Sequence, residues 1–196
     1  MNTKKKTFTS APLPFMGQKR KFLKQFKPAL SQYPDNATYV DLFGGSGLLS
    51  HTVKSVYPNA KVIYNDYDNF RERIANIGKT NLLIKDLREI LKEYPKDKAI
   101  VGTVRDQVMQ RIELEDKNGY VDYITVSSSI LFSMKYVSNF EQLKKETLYN
   151  CVRQSDYDAT GYLDDLEVGD VKKYCSSLVS YLTTSKKSYI DIVTKT

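Results

Sequence analysis

The chain has 196 residues, 41% hydrophobic and 27% charged, with a formal net charge of +7. That length can bury a real core as one domain, or one domain with an insertion, and its apolar runs are far too short for a membrane span. Cys151 and Cys175 are too few and too far apart for a disulfide framework or a zinc knuckle, and the basic start has no apolar signal region, so a cytoplasmic protein is expected.

The charge is uneven. Lys4, Lys5, Lys6, Lys19, Arg20, Lys21, Lys24 and Lys27 fall within residues 1–30 with no acid among them, leaving 22 basic and 23 acidic residues in the remainder. A basic arm of this kind suits a polyanion, because Lys and Arg contacts to phosphate give sequence-independent affinity. A solvated tail and helix face account for the same lysines, and both readings stand.

In chain order, Pro12-Leu13-Pro14-Phe15 must be extended. Residues 17–32 have helical spacing through Phe22, Leu23, Phe26 and Leu30, with Pro28 as a kink or stop. Tyr33-Pro34-Asp35-Asn36 is a turn, and residues 38–43 form a first strand. A helix is expected over 48–56 and a second strand over 61–64, running into Asn65-Asp66. Asp68 then caps a helix over 70–77 that Gly78 closes, and another follows over 81–93 with Leu83, Leu87, Ile90 and Leu91 on one face. Strand and helix in alternation imply a parallel sheet with right-handed crossovers.

From residue 99 to 162 the pattern changes. Val101, Val104, Val108, Ile112, Ile124, Ile130, Leu131 and Met134 suggest helices, and no strand followed by glycine recurs, as expected of an inserted helical subdomain. A helix over 171–182 and a short strand over 189–193 close the chain.

The most informative stretch is Tyr39-Val40-Asp41-Leu42-Phe43-Gly44-Gly45-Ser46-Gly47, a buried strand running through a glycine turn into a helix. Such a junction turns backbone N–H groups toward a nucleotide-like ligand, and Gly45 and Gly47 permit the tight turn and close approach. Gly45-Ser46-Gly47-Leu48-Leu49-Ser50 supplies two of the three glycines of a dinucleotide fingerprint, with Asp66 at a plausible distance for its acid, so NAD binding and an oxidoreductase stay open. A P-loop does not, because no Gly-Lys-Ser/Thr follows. His51, the sole histidine, lies one turn into the helix and suits a structural better than a catalytic role. Asp41, at a strand end, needs a cation or hydrogen-bond donors to be tolerated there.

Asp41-x-Phe43-x-Gly45-x-Gly47 resembles motif I of S-adenosylmethionine-dependent methyltransferases. Phe15-x-Gly17-x-Lys19 upstream and Tyr64-Asn65-Asp66-Tyr67-Asp68 downstream resemble, in the same order, elements of the Dam-like D12 class of DNA adenine-N6 methyltransferases. The resemblance implies a Rossmann-like α/β sheet with a helical recognition subdomain inserted. It implies S-adenosyl-L-methionine held by Phe15, Gly17, Lys19, Asp41, Phe43, Gly45 and Gly47, with Asp66 on the ribose hydroxyls, and no metal. It also implies double-stranded DNA as partner, with Lys4, Lys5, Lys6, Arg105, Arg111, Lys135 and Arg153 as candidate contacts. On this basis residues 1–98 form the cofactor-binding part, 99–165 the target-recognition region and 166–196 a return to the sheet.

One element of the family is missing. Adenine N6 is a poor nucleophile, and the family assists it with an Asp/Asn/Ser-Pro-Pro-Tyr/Phe motif that accepts the amino protons and stacks on the extruded base. This chain has six prolines, at 12, 14, 28, 34, 58 and 95, and no Pro-Pro pair. Asp191, after a strand-like segment, is the candidate relic of the catalytic acid. The expectation is an incomplete sheet and a truncated or degenerate methyltransferase, inactive alone and prone to self-association or completion by another chain; a non-catalytic DNA-binding remnant is the alternative.

Overall fold

The computed structural model describes residues 6–17, 19–133 and 135–169. The expected helix over 171–182, the strand over 189–193, and the candidates Lys4, Lys5, Met134 and Asp191 lie outside the described residues. The described chain separates into two compact units. Residues 6–12, 16–71 and 160–169 belong to the first, and 13–15 and 72–159 to the second.

In the first unit, β-branched and aromatic residues build β1 (Thr38–Asp41) and β2 (Lys61–Tyr64), which pair in parallel with Val40 opposite Ile63 and Asp41 opposite Tyr64. A parallel pair needs a crossover, and α2 (Leu48–Val56) supplies it. Val40, Leu42 and Ile63 form a buried apolar cluster. A third strand, β3 (Glu167–Val168), pairs in parallel with the other edge of β2, giving the order β1-β2-β3. This small α/β sheet matches the fold class expected, but the third strand is one the sequence pattern did not foresee. At Gly169, just beyond it, a Cβ would come within 2.5 Å of the Ile63 Cγ2 atom, so only glycine lets the chain leave this close to β2.

Three local expectations need correcting. Residues 17–32 are not one helix: a 3-10 turn (Lys19–Phe22) leads into α1 (Leu23–Leu30), which carries Pro28 within it and ends two residues later. Its face buries Leu23 and Leu30 and leaves Phe22 64% exposed. Strand β1 stops at Asp41, because the chain must turn at Leu42 to reach the glycines. Finally, Asp68 does not cap the next helix, α3 (Phe70–Ala75); Asp66 does, accepting from the Phe70 N–H at 2.7 Å and the Arg71 N–H at 2.9 Å.

The second unit is helical. It contains α4 (Ile77–Ile90), α5 (Gly102–Lys117), α6 (Tyr123–Ile130) and α7 (Phe140–Lys144), with α4 packed on α5 and α6, and α5 on α7. Leu83, Ile84, Leu87, Val108, Ile112, Val126, Ile130 and Leu143 are its buried core. Gly78 closes nothing: it lies inside α4, where burial of the Leu83 face outweighs the roughly 1 kcal/mol a glycine costs in a helix. An isolated antiparallel bridge joins Ala99 to Tyr149, so the region is not helical throughout. Buried Arg73 pairs with Asp122 at 3.0 Å and donates to the Pro14 carbonyl at 2.7 Å, which holds residues 13–15 in this unit. No helix of the described residues is long and apolar enough to cross a membrane.

Candidate functional site

The glycine junction behaves as a built turn. The Gly47 N–H donates to the Gly44 carbonyl at 2.8 Å, and Gly45 and Gly47 have φ values of 52° and 72°. L side chains rarely adopt these angles, which is why glycine stands at both positions. Gly44 answers a different demand. A Cβ there would fall 2.2 Å from Cε2 of Tyr64 and 2.6 Å from the Asn65 carbonyl, because the ring at the end of β2 lies directly against the turn. Gly47 is the N-cap of helix α2 and gives no side-chain cap, leaving the first N–H groups of the helix for another acceptor.

Asp41 obtains the partners its position requires. Ser50 Oγ donates to it at 2.8 Å from the first turn of α2, and Lys19 Nζ lies 3.6 Å from its Oδ1. The same ammonium group donates to the Phe43 carbonyl. Ser50, in the place of the third dinucleotide glycine, is thus directed at the strand acid. Phe43 itself is 68% exposed at the turn.

Tyr64 ties the turn to the acid beyond β2. Its hydroxyl lies 2.5 Å from the Gly45 carbonyl and 2.9 Å from Asp66 Oδ1. The side chain is fully buried, and burial, followed by the neighbouring Asp66 and Asp41 carboxylates, pushes the phenol well above its ordinary range. It remains a neutral donor at any working pH. Asn65 adds a second tie, donating its Nδ2 to the Leu42 carbonyl at 2.8 Å. Asp66 therefore receives Tyr64 Oη and two α3 N–H groups. A carboxylate has about four lone-pair positions, so capacity for a further donor remains.

The structure thus joins Lys19, Asp41, Phe43, Gly45, Gly47 and Asp66 within the first unit. Gly17 also belongs there, at a φ of 72°, with no atom within 4 Å of where a Cβ would stand. Phe15 belongs to the second unit. Sequence reasoning gave no role to Gly44 or to Ser50 as a partner of Asp41, and it quoted Tyr64 and Asn65 beside Asp66 without foreseeing their ties to the turn. The register of the two parallel strands is the signal that would have found Tyr64, since it sits opposite Asp41.

His51 on α2 is 4% exposed and structural in its contacts. Its Nε2 accepts from the Phe8 N–H at 3.0 Å, and Nδ1 lies 2.9 Å from the Tyr162 carbonyl, so the neutral Nδ1–H tautomer satisfies both. The Tyr162 ring stacks on the imidazole at 4.8 Å and the Phe8 ring meets it edge-on at 5.3 Å.

The DNA candidates divide. Arg111 is held between Asp86 at 2.8 Å and Glu115 at 2.9 Å, and Lys135 pairs with Glu146. Among the described residues, Arg105 and Arg153 meet no carboxylate: Arg105 donates to the Lys144 carbonyl, and Arg153 lies over the Tyr157 ring and donates to Ser155. Lys6 lies over the Phe8 ring at 4.8 Å.

Residues 15–158 match the family model described as D12 class N6 adenine-specific DNA methyltransferase. The chain is also similar to a Haemophilus influenzae protein named "Putative methyltransferase", 44% identical over 170 residues, which is 84% of this chain and 57% of that relative. The chain therefore spans little more than half the length of that relative. No solved structure matches it.

Proposed function

The chain belongs to the D12 class N6 adenine-specific DNA methyltransferase family, and from that premise we propose that its glycine junction binds S-adenosylmethionine for methyl transfer to adenine N6 in double-stranded DNA. One observation carries the proposal. Three motif segments scattered between residues 19 and 66 are drawn into one site by two side chains, Lys19 and Tyr64.

The donor set fits this cofactor. Two carboxylates, Asp41 and Asp66, flank the turn, and the nearby cation Lys19 already faces one of them. Such a site favours a ligand that offers hydroxyl and ammonium donors over one that offers a pyrophosphate. Gly45 and Gly47 would admit the ligand to the main chain, Asp66 would accept from a ribose hydroxyl, and Asp41 would face the ammonium end. S-adenosylmethionine, when bound, supplies the electrophilic methyl group.

On this reading the target-recognition region is residues 99–165, most of which fall in the helical second unit. Residues 72–159 hold 14 basic and 14 acidic residues, so recognition there rests on placed contacts such as Arg105 and Arg153 more than on bulk charge. The basic arm from Lys4 to Lys6 supplies phosphate affinity. A cytoplasmic setting suits both the DNA partner and the sparse cysteine usage.

With no Pro-Pro pair in 196 residues, the chain has nothing to accept the N6 protons and stack the target base in the family's manner. We infer that it binds cofactor and does not methylate DNA by itself. Titration with S-adenosylmethionine and with NAD, followed by incubation with labelled cofactor and varied duplexes, tests both statements. Saturable binding of the first ligand alone and no labelled DNA are expected; NAD binding in its place would refute the cofactor assignment, and transfer to adenine would refute the inactivity of the chain by itself.

A further inference from the structure

Tyr64 opens the Tyr64-to-Asp68 acid segment and is given no cofactor role there, yet its hydroxyl stands between two parts of the site. It has one proton and two acceptors, the Gly45 carbonyl at 2.5 Å and Asp66 Oδ1 at 2.9 Å. One O–H cannot serve both fully. Its ring is fixed as well: it is fully buried, and Gly44 has no side chain because that ring occupies the space.

Resting on the cofactor reading above, we propose that Tyr64 is a positioning residue that couples ribose recognition at Asp66 to closure of the glycine turn. The physical step is an exchange of hydrogen-bond partners. Tyr64 and the Phe70 N–H already share Oδ1 of Asp66, so a ribose hydroxyl that donates to this oxygen replaces part of what Tyr64 gives the carboxylate. The phenol proton then goes wholly to the Gly45 carbonyl and tightens the turn at the far end of the ligand. The two α3 N–H groups keep Asp66 oriented while this happens, so the carboxylate does not rotate away. Burial and the two carboxylates keep the phenol protonated, which leaves the exchange available across the working pH range.

The test is a thermodynamic cycle. S-adenosylhomocysteine and its 2′-deoxy analogue are titrated into wild-type protein and into Tyr64→Phe, which keeps the ring under Gly44 and removes only the hydroxyl. In wild type the missing ribose hydroxyl is expected to lower affinity about 10-fold, and in Tyr64→Phe no more than about 3-fold, since coupled sites are non-additive. A residue that only supports the fold would lower both affinities equally. An equal penalty in the two proteins, or a larger one in Tyr64→Phe, overturns the proposal. Failure of wild type to bind S-adenosylhomocysteine overturns the cofactor reading itself, and this proposal with it. Should Tyr64→Phe not fold, amide exchange in wild type decides. Adenosine should slow exchange at Ser46 and Gly47 more than 2′-deoxyadenosine does, and equal slowing overturns the proposal.

Discussion

Lys19 holds its ammonium group 3.6 Å from the Asp41 carboxylate and donates from the same nitrogen to the carbonyl of Phe43, two residues further on. One side chain thereby neutralises the acid at the end of β1 and fixes the main chain where the glycine turn begins. Both partners are mostly shielded, with 28% and 15% of their side chains exposed.

Removing that cation leaves Asp41 with Ser50 as its remaining donor. Lys19→Met is expected to lower stability by about 1–3 kcal/mol, between the values for surface and buried pairs. Urea unfolding measures it. The variant should also bind S-adenosylmethionine more weakly, because the Phe43 carbonyl is no longer held.

Two glycines in the same unit should respond differently to alanine. At Gly44 a Cβ would meet the Tyr64 ring at 2.2 Å and the Asn65 carbonyl at 2.6 Å, so β2 or the turn must shift. A loss of roughly 2–4 kcal/mol is expected, in the range of severe overpacking. At Gly17 there is no neighbour within 4 Å and only the φ of 72° to maintain, so Gly17→Ala should lose about 1 kcal/mol. Thermal unfolding of the two variants compares them directly.

The glycine punctuation made part of this legible in the sequence. The bounds of α2 and β2 follow from Gly47, the Pro58-Asn59 break and the apolar run between, and the need for partners at Asp41 follows from its place at a strand end. What could not be read depended on contacts distant in sequence. Strand β3 has only two residues, and nothing local marks Glu167 and Val168 as extended until β2 is there to pair with them. Asp66 and Asp68 are equivalent cap candidates in the sequence, and only the turn at Asn69, with a φ of 51°, brings the α3 N–H groups onto Asp66. Arg111 reads like any other helical arginine until Asp86 of α4 is found beside it.

That last point separates two arginines experimentally. Arg111→Gln should destabilise the helical unit by about 1–2 kcal/mol, by leaving partly shielded Asp86 and Glu115 without their cation. It should change DNA affinity little. Arg105→Glu with Arg153→Glu should leave the melting temperature nearly unchanged and weaken binding to all duplexes, with a shallower salt dependence, as expected of phosphate contacts. Filter binding across a salt series reads both variants.

His51 anchors residues on either side of the glycine helix, through the Phe8 N–H and the Tyr162 carbonyl. His51→Ala leaves both groups without the imidazole and removes two ring contacts, so a loss of about 2–4 kcal/mol is expected. Faster proteolysis of the N-terminal arm should accompany it. Protection of the arm equal to that of wild type would show that His51 does not hold it.

Calorimetric titration of S-adenosylmethionine into the wild-type chain and into Asp41→Ala tests the central claim most directly. Saturable one-site binding to wild type, abolished in a variant that still unfolds cooperatively, is the result predicted. No heat of binding to wild type, or equal affinity in the two proteins, would contradict the assignment of the glycine junction as the cofactor site.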